Sequence, residues 1–476
     1  MGQEINAKDF KTSDFDHFYT ALNEETLLLK DYFDNQRFSE QKPVAGFEIE
    51  AWLIDNKMQA AANNIAFLQN LNDPLAFPEL AKFNIELNGV PQALTGSVFS
   101  TLHKNLSQTW EKSCQHAQDL NNHILIIGTL PTLTPAAMVL ENMSEMNRYR
   151  FLNEQILKAR GKPIHLDIVG IEHLKFDHYD VMLESATTSL QLHTQVSLDN
   201  AHHYYNASII ASAAMVASCA NAPYLLGKNL WHESRIPLFE QSIETGGYGG
   251  AIHGPLKRVS FGTGYARSSI MECFQENLAH FPILLPELFD TPAEQFEHLR
   301  LHNGTIWRWN RPLIGFDADN TPHIRIEHRT PSAGPTIIDS IANAVFYYGL
   351  AKNIADELQD QVIPLEFALA KDNFYQAAHH GLDSDIVWFD GEKHPLQKLL
   401  LEELLERAQK GLQSLQVDSD DIERYLGIMQ QRIESKQTGS QWQRDFMQQK
   451  HATLHNMTAA YLEHQYSEIA VSQWEI

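Results

Sequence analysis

The sequence predicts an α+β fold: a curved, mainly antiparallel sheet with one face under helices and the other lining a funnel, followed by a helical C-terminal region. Two observations carry this. Four stretches alternate apolar with polar residues at the period of a strand, and each pairs a good core face with a face of unusual polarity. The long helical stretches gather between and after these strands instead of alternating with them one for one.

Taken in order, residues 14 to 35 place Phe18, Leu22, Leu27 and Leu29 among acidic residues at helical spacing. "VAGFEIEAWLID", 44 to 55, is aromatic and β-branched and reads as a strand closed by Asp55-Asn56. "KFNIELNG", 82 to 89, is a second strand ending in the turn signal Asn88-Gly89. A helix over 93 to 121 leads into the apolar strand "HILIIGTLP", 123 to 131. "TTSLQLHTQVSLD", 187 to 199, alternates again. The Ala/Ser-rich stretch at 207 to 227 is interrupted by Asn221 and Pro223. It reads as a buried helix, since a membrane span needs about 20 consecutive apolar residues.

"ETGGYGGAIHGP", 244 to 255, follows no strand in a phosphate-loop pattern and reads as a mobile lid or plain loop. "TIWRWNRPLIGFD" and "TPHIRIEHR" form two strands joined at "DADNTP", and 334 to 359 is a helix introduced by Pro335. From about 395 the heptad-like leucines of "PLQKLLLEELLERAQKGL" belong to a bundle core. The expected division is a main unit over 1–394 and a helical extension over 395–476 packed on it.

The 476 residues and 43% hydrophobic content suffice for a large core. A formal net charge of -24 argues against nucleic acid or an anionic membrane surface as partner. Cys114, Cys219 and Cys273 stand far apart with no metal pattern, and no secretory signal opens the chain, so a cytoplasmic location is expected. Assembly into a homo-oligomer is compatible with all of this.

The polar faces carry the chemistry. In "GFEIEAW" Glu48 and Glu50 share a face; in "KFNIELNG" it is Asn84, Glu86 and Asn88; in "LQLHTQVSL" it is Gln191, His193, Gln195 and Ser197. In "HIRIEHR" the row is His323, Arg325, Glu327 and Arg329. If these strands form one sheet, Glu48, Glu50, Glu86, His193 and Glu327 converge, and such carboxylates repel unless protonated or bridged by cations. A carboxylate-rich set with one nitrogen suits Mg²⁺ or Mn²⁺. Arg325 and Arg329 beside it suit phosphate or carboxylate, which guanidinium binds bidentately. Arg308 and Arg311 of "WRWNR" are further anion-binding candidates on opposite faces, and Glu184 of "MLESATTS" is a candidate to complete the metal site. Trp307 and Trp309 read as packing residues.

"GFEIEAWLID", "LQLHTQVSL", "NAPYLLGKNLWHESR" and "RIEHRTPSAGPT" resemble the glutamate–cysteine ligase type 2 family, carboxylate–amine ligases of glutamine-synthetase-like fold, over about 44–350. The resemblance implies that Glu48, Glu50, Glu86, His193 and Glu327 are metal ligands, with Asn88 setting the context of Glu86. It makes Arg325 and Arg329 the arginines around the late ligand, and Arg235 a looser match to a substrate-binding arginine. Gln195 departs from the superfamily's His-x-His strand, and Gln191, Gln195 and Asn88 are candidates to bind substrate or ATP beside Arg235. The implied activity is ATP- and Mg²⁺-dependent joining of glutamate to cysteine through an acyl phosphate, with 1–394 as the catalytic domain. Two alternatives stay open: another amine or a guanidino kinase on the same scaffold, and a non-catalytic binding homologue.

Overall fold

Eight strands pair into one sheet: β1 Val44–Asp55, β2 Ala76–Pro78, β3 Asn84–Asn88, β4 Gln92–Ala93, β5 Asn122–Leu125, β6 Leu190–Val196, β7 Asn310–Phe316 and β8 Pro322–His328. In the computed structural model, which describes residues 4–5, 9–41, 43–245, 256–359 and 362–476, the order is β7-β8-β6-β1-β3-β2. Every pairing is antiparallel, and β4 and β5 join the two ends of β1. The four alternating stretches are therefore neighbours, as their shared polarity requires. The loop 244 to 255 lies almost wholly outside the described residues.

Two expected strands are shorter in the structure. Of 123 to 131 only the start pairs with β1. Beyond it, the Gly128 amide donates to Asn221 O at 3.2 Å, and the Ile126 amide donates to Gln465 Oε1 at 3.2 Å. Loop and helix groups replace a neighbouring strand there. A Cβ on Gly128 would meet Ser332 Oγ at 2.0 Å, so this close approach requires glycine. The strand at 187 to 199 likewise contracts to β6.

Among the helices are α1 Thr12–Asp34, α2 Val98–Asp119, α3 Asn147–Arg160, α4 Ala201–Ser218, α5 Met271–His280, α6 Glu297–Asn303, α7 Ile337–Leu358, α8 Leu405–Ser414, α9 Ser419–Ser435 and α10 Leu454–Tyr466. Pro335 lies before α7 and does not start it; Thr336 does, its Oγ1 accepting the Asp339 amide at 3.1 Å. α4 is buried on all sides from Tyr204 to Ser218, and its small residues let α7 pack closely. Its serines bond inward, Ser208 Oγ meeting Tyr347 Oη at 2.8 Å, so polarity costs little there. No helix among the described residues is long and apolar enough to cross a membrane.

The C-terminal helices belong to this core. Leu400, Leu404, Ala408 and Leu412 are buried, and α8 crosses α7 almost backbone to backbone. A Cβ on Gly411 would meet Gly349 O at 1.9 Å, and one on Gly349 would meet Ala408 O at 2.3 Å. Arg432 of α9 reaches Asp339 Oδ1 at 2.7 Å and Ser218 O at 3.2 Å, with 1% of Arg432 exposed. Asp339 also accepts the Val471 amide at 3.0 Å. Removing one partner of such a pair leaves the other charge buried, so Arg432→Met is expected to cost about 3–5 kcal/mol. Urea denaturation of the two proteins measures it, and a loss below about 1 kcal/mol would mean that the pair behaves as a solvated surface bridge.

Candidate active site

Sheet register decides which side chains meet. Arg311 stands opposite Glu327, and Glu327 opposite His193. His193 stands opposite Gly46, which adds no side chain to the row. One step along, Gln191, Glu48 and Asn88 form a row, and Glu50 faces Glu86. The polar face closes over into a cavity of about 190 Å³. Glu48, Glu50, Glu86, Gln191, His193, Arg311, Arg325, Glu327 and Arg329 line it from the sheet. Helices and loops supply Glu79, Arg148 and Tyr149, Glu184, and Arg300 with Asn303 of α6.

A chain of hydrogen bonds crosses four strands. Ser189 donates from its amide to Glu50 Oε2 at 2.7 Å, and Gln191 Nε2 donates to Glu50 Oε1 at 2.7 Å. Gln191 Oε1 accepts from Arg329 Nη1, which also lies 3.3 Å from Glu327 Oε2. Arg311 completes the row, its Nε and Nη2 both donating to Glu327, the latter at 3.1 Å. This fork is the bidentate geometry that guanidinium favours with a carboxylate.

These contacts split the carboxylates into two groups. Burial alone would raise Glu327, but Arg311 and Arg329 overcome it and hold the group down to about 2. At the other end burial wins for Glu79, Glu86 and Glu184, whereas for Glu48 nearby positive charge, His193 included, outweighs burial and holds the group low. Burial pushes Glu86 up to about 7, helped by the like charge of Glu48, and Glu184 up to about 8, helped by Glu50. Burial and then Glu86 hold Glu79 well above the usual carboxylate range. The cavity is thus bipolar, with an acid-rich end at β1 and β3 and an arginine-rich end at β7 and β8.

The buried His193 ring has no hydrogen-bond partner on either nitrogen. Its Nε2 lies 3.4 Å from Glu48 Oε1 and 3.9 Å from Glu327 Oε1. This donor set has the chemistry of a hard-cation site. Among the described residues no three His, Cys, Asp or Glu side chains are drawn together into a coordination shell. Glu50 and Glu327 are turned to their serine, glutamine and arginine partners instead, so a cation would have to draw them in.

Four of the expected binding residues do not line the cavity. Asn88 Nδ2 donates to Glu86 Oε1 at 2.9 Å and so positions it from behind. Arg235 is buried and donates to Thr330 O at 2.5 Å and Arg329 O at 3.3 Å, clamping the backbone after Arg329. Gln195 Nε2 donates to Asp317 Oδ1 at 3.3 Å, away from the cavity. Arg308 points to the opposite side of its strand and pairs with Glu276 at 2.5 Å. Trp309 packs as expected, but Trp307 lines the cavity. The cysteines line another pocket or none, and burial pushes Cys219 up to about 12. Glu79, Arg148, Tyr149 and Arg300 were not anticipated, because no alternation marks a residue that reaches the site from a helix or loop.

A structure of glutamate–cysteine ligase from Francisella tularensis in complex with AMP superposes with a TM-score of 0.56, covering 92% of this chain and 96% of that one at 11% identity. A bifunctional glutathione synthetase from Pasteurella multocida gives a TM-score of 0.49 at 12% identity, covering 93% of this chain and 55% of that one. No curated protein sequence matches. The first of these shares the curved antiparallel sheet under helices, which is the glutamine-synthetase-like fold. Residues 44–468 match the model of glutamate–cysteine ligase family 2, well beyond the stretch whose motifs show it. The chain belongs to that family and is an ATP-dependent ligase that joins a carboxylate to an amine.

Proposed function

We propose that the cavity joins the γ-carboxylate of glutamate to the amino group of cysteine, with ATP as phosphoryl donor. The supporting observation is the bipolar cavity, which offers cation ligands at one end and guanidinium groups at the other. A carboxylate oxygen of glutamate attacks the γ-phosphorus of ATP and ADP leaves. The amine then attacks the acyl carbon of the γ-glutamyl phosphate, phosphate leaves, and the amine gives up a proton as the amide forms.

Such a reaction needs positioning and charge neutralisation more than a protein nucleophile. Arg325 and Arg329 would bind phosphate oxygens and the substrate carboxylate, while Arg311 keeps Glu327 ionised. Glu48, Glu50, Glu86, His193 and Glu327, with Glu184, would hold Mg²⁺ or Mn²⁺, which when bound neutralises the transferring phosphoryl group. Arg148 is 7% exposed, and its Nε and Nη1 have no hydrogen-bond partner, so it is suited to a second substrate carboxylate. The Gln195 departure lies outside the cavity and does not favour another amine. The three unpaired cysteines accord with a reducing cytoplasm.

ADP release with glutamate and a panel of amines tests this reading. Cysteine is expected to give the fastest release, and release independent of glutamate would overturn it.

The two groups of carboxylates predict opposite outcomes for the same chemical change. Glu327→Gln strips two partly buried arginines of their counter-ion and is expected to destabilise the metal-free protein by about 3–5 kcal/mol at neutral pH, with turnover lost. Glu86 behaves in reverse. Its folded-state value of about 7 lies above the unfolded one, so its contribution favours folding at low pH and is lost as pH rises from about 4.5 through 7. Glu86→Gln is therefore expected to raise the melting temperature at pH 8, to change it little at pH 5, and still to abolish turnover. Equal shifts at the two pH values would contradict the assignment.

Arg329→Lys keeps the charge but loses the planar guanidinium fork that binds phosphate or carboxylate bidentately. Turnover is expected to fall about 100-fold, as when one fixed donor to a developing charge is removed. Near-normal turnover with an unchanged fold, read by steady-state kinetics and circular dichroism, would remove Arg329 from the mechanism.

A further inference from the structure

Arg308 belongs to a different cavity. Trp307 lines the reaction cavity, and its neighbour in the strand, Arg308, lines a separate pocket of about 290 Å³ behind it. The segment 263–267 forms one wall of that pocket, and Glu272, Cys273 and Glu276 of α5 form another.

Two unmet donors border this pocket. Arg308 is 3% exposed, its Nη2 is taken by Glu276 at 2.5 Å and Asn277 Oδ1 at 3.2 Å, and its Nε has no hydrogen-bond partner. The Tyr265 hydroxyl is also buried without a partner. Arg267 has no carboxylate within ion-pair distance among the described residues. Both glutamates are engaged: Glu276 by Arg308, and Glu272 by the amides of Arg267, Ser268 and Ser269 at 2.9–3.2 Å. Buried donors left unmet cost folding free energy, which an oxygen acceptor in the pocket would recover.

We propose that this pocket is a second oxyanion site, back to back with the reaction cavity, which takes a small phosphate or carboxylate on Arg308, Tyr265 and Arg267. The guanidinium and phenol donors are shared chemistry for both anions. The site does not depend on which substrates the reaction cavity uses.

Calorimetric titration tests it, with Mg²⁺, a non-hydrolysable ATP analogue and glutamate filling the reaction cavity and inorganic phosphate or acetate as probe. Arg308→Lys retains a charge for Glu276 but lacks Nε, and Tyr265→Phe removes only the hydroxyl. Wild type is expected to bind one equivalent of phosphate or of acetate, whichever binds naming the anion class. Each variant is expected to weaken that binding about 10-fold, the scale of one charge-assisted hydrogen bond, while basal ligase turnover stays unchanged. No binding of either anion, or binding that both variants leave intact, would overturn the proposal.

Discussion

The burial of Glu327 between Arg311 and Arg329 is the constraint on which the site depends. A carboxylate with 2% exposure would be expensive without compensation, and two guanidinium groups supply it. That arrangement in turn fixes β7 against β8 and β8 against β6, since Arg311, Glu327 and His193 meet in a single cross-strand row. A slip of two residues in β8 would keep its apolar face toward the helices but set Arg325 or Arg329 opposite Arg311 and His193. Charge pairing thus specifies register where apolar packing alone would tolerate alternatives.

The helical layer has the complementary task. The sheet's apolar face must be covered, and α4 and α7 do this with small residues and inward-bonded serines. α8 and α9 then hold α7 through the Gly349–Gly411 approach and the Arg432–Asp339 pair. Gln465 of α10 donates to Ile126 O at 2.9 Å, next to the point where β5 leaves the sheet. The C-terminal helices therefore brace the strands that carry the candidate ligands, which fits a family match running to residue 468.

Most of the sheet was legible because strand alternation is a local property. Glu48, Glu50, Glu86, His193 and Glu327 announced their common face through their spacing, and the sheet brings all five to one cavity. Arg235 entered only through the family resemblance, as a loose match to a substrate-binding arginine, while its position makes it a clamp on the backbone of Arg329 and Thr330. Glu79, Arg148 and Arg300 were invisible for a different reason. They reach the cavity through packing between elements distant in sequence, and nothing in their immediate neighbours encodes that approach. Trp307 and Arg308 show the limit within a single strand, where alternation separates two faces but does not say that each face borders its own cavity.

The electrostatic division of the cavity follows from these same placements. Arginines sit on β7 and β8, so Glu327 beside them stays ionised; β1 and β3 carry none, and burial raises Glu86, Glu184 and Glu79 while Glu48, beside His193, is held low. A cation entering the acidic end would displace protons from the raised carboxylates, making its binding stronger as pH rises. An anion entering the other end meets charge already in place and needs no proton exchange. Without ligand, arginine balances the charge at one end, and the raised carboxylates lessen it at the other. Metal and phosphate together would replace both forms of neutralisation, so the two ligands should bind more tightly in combination than either does alone.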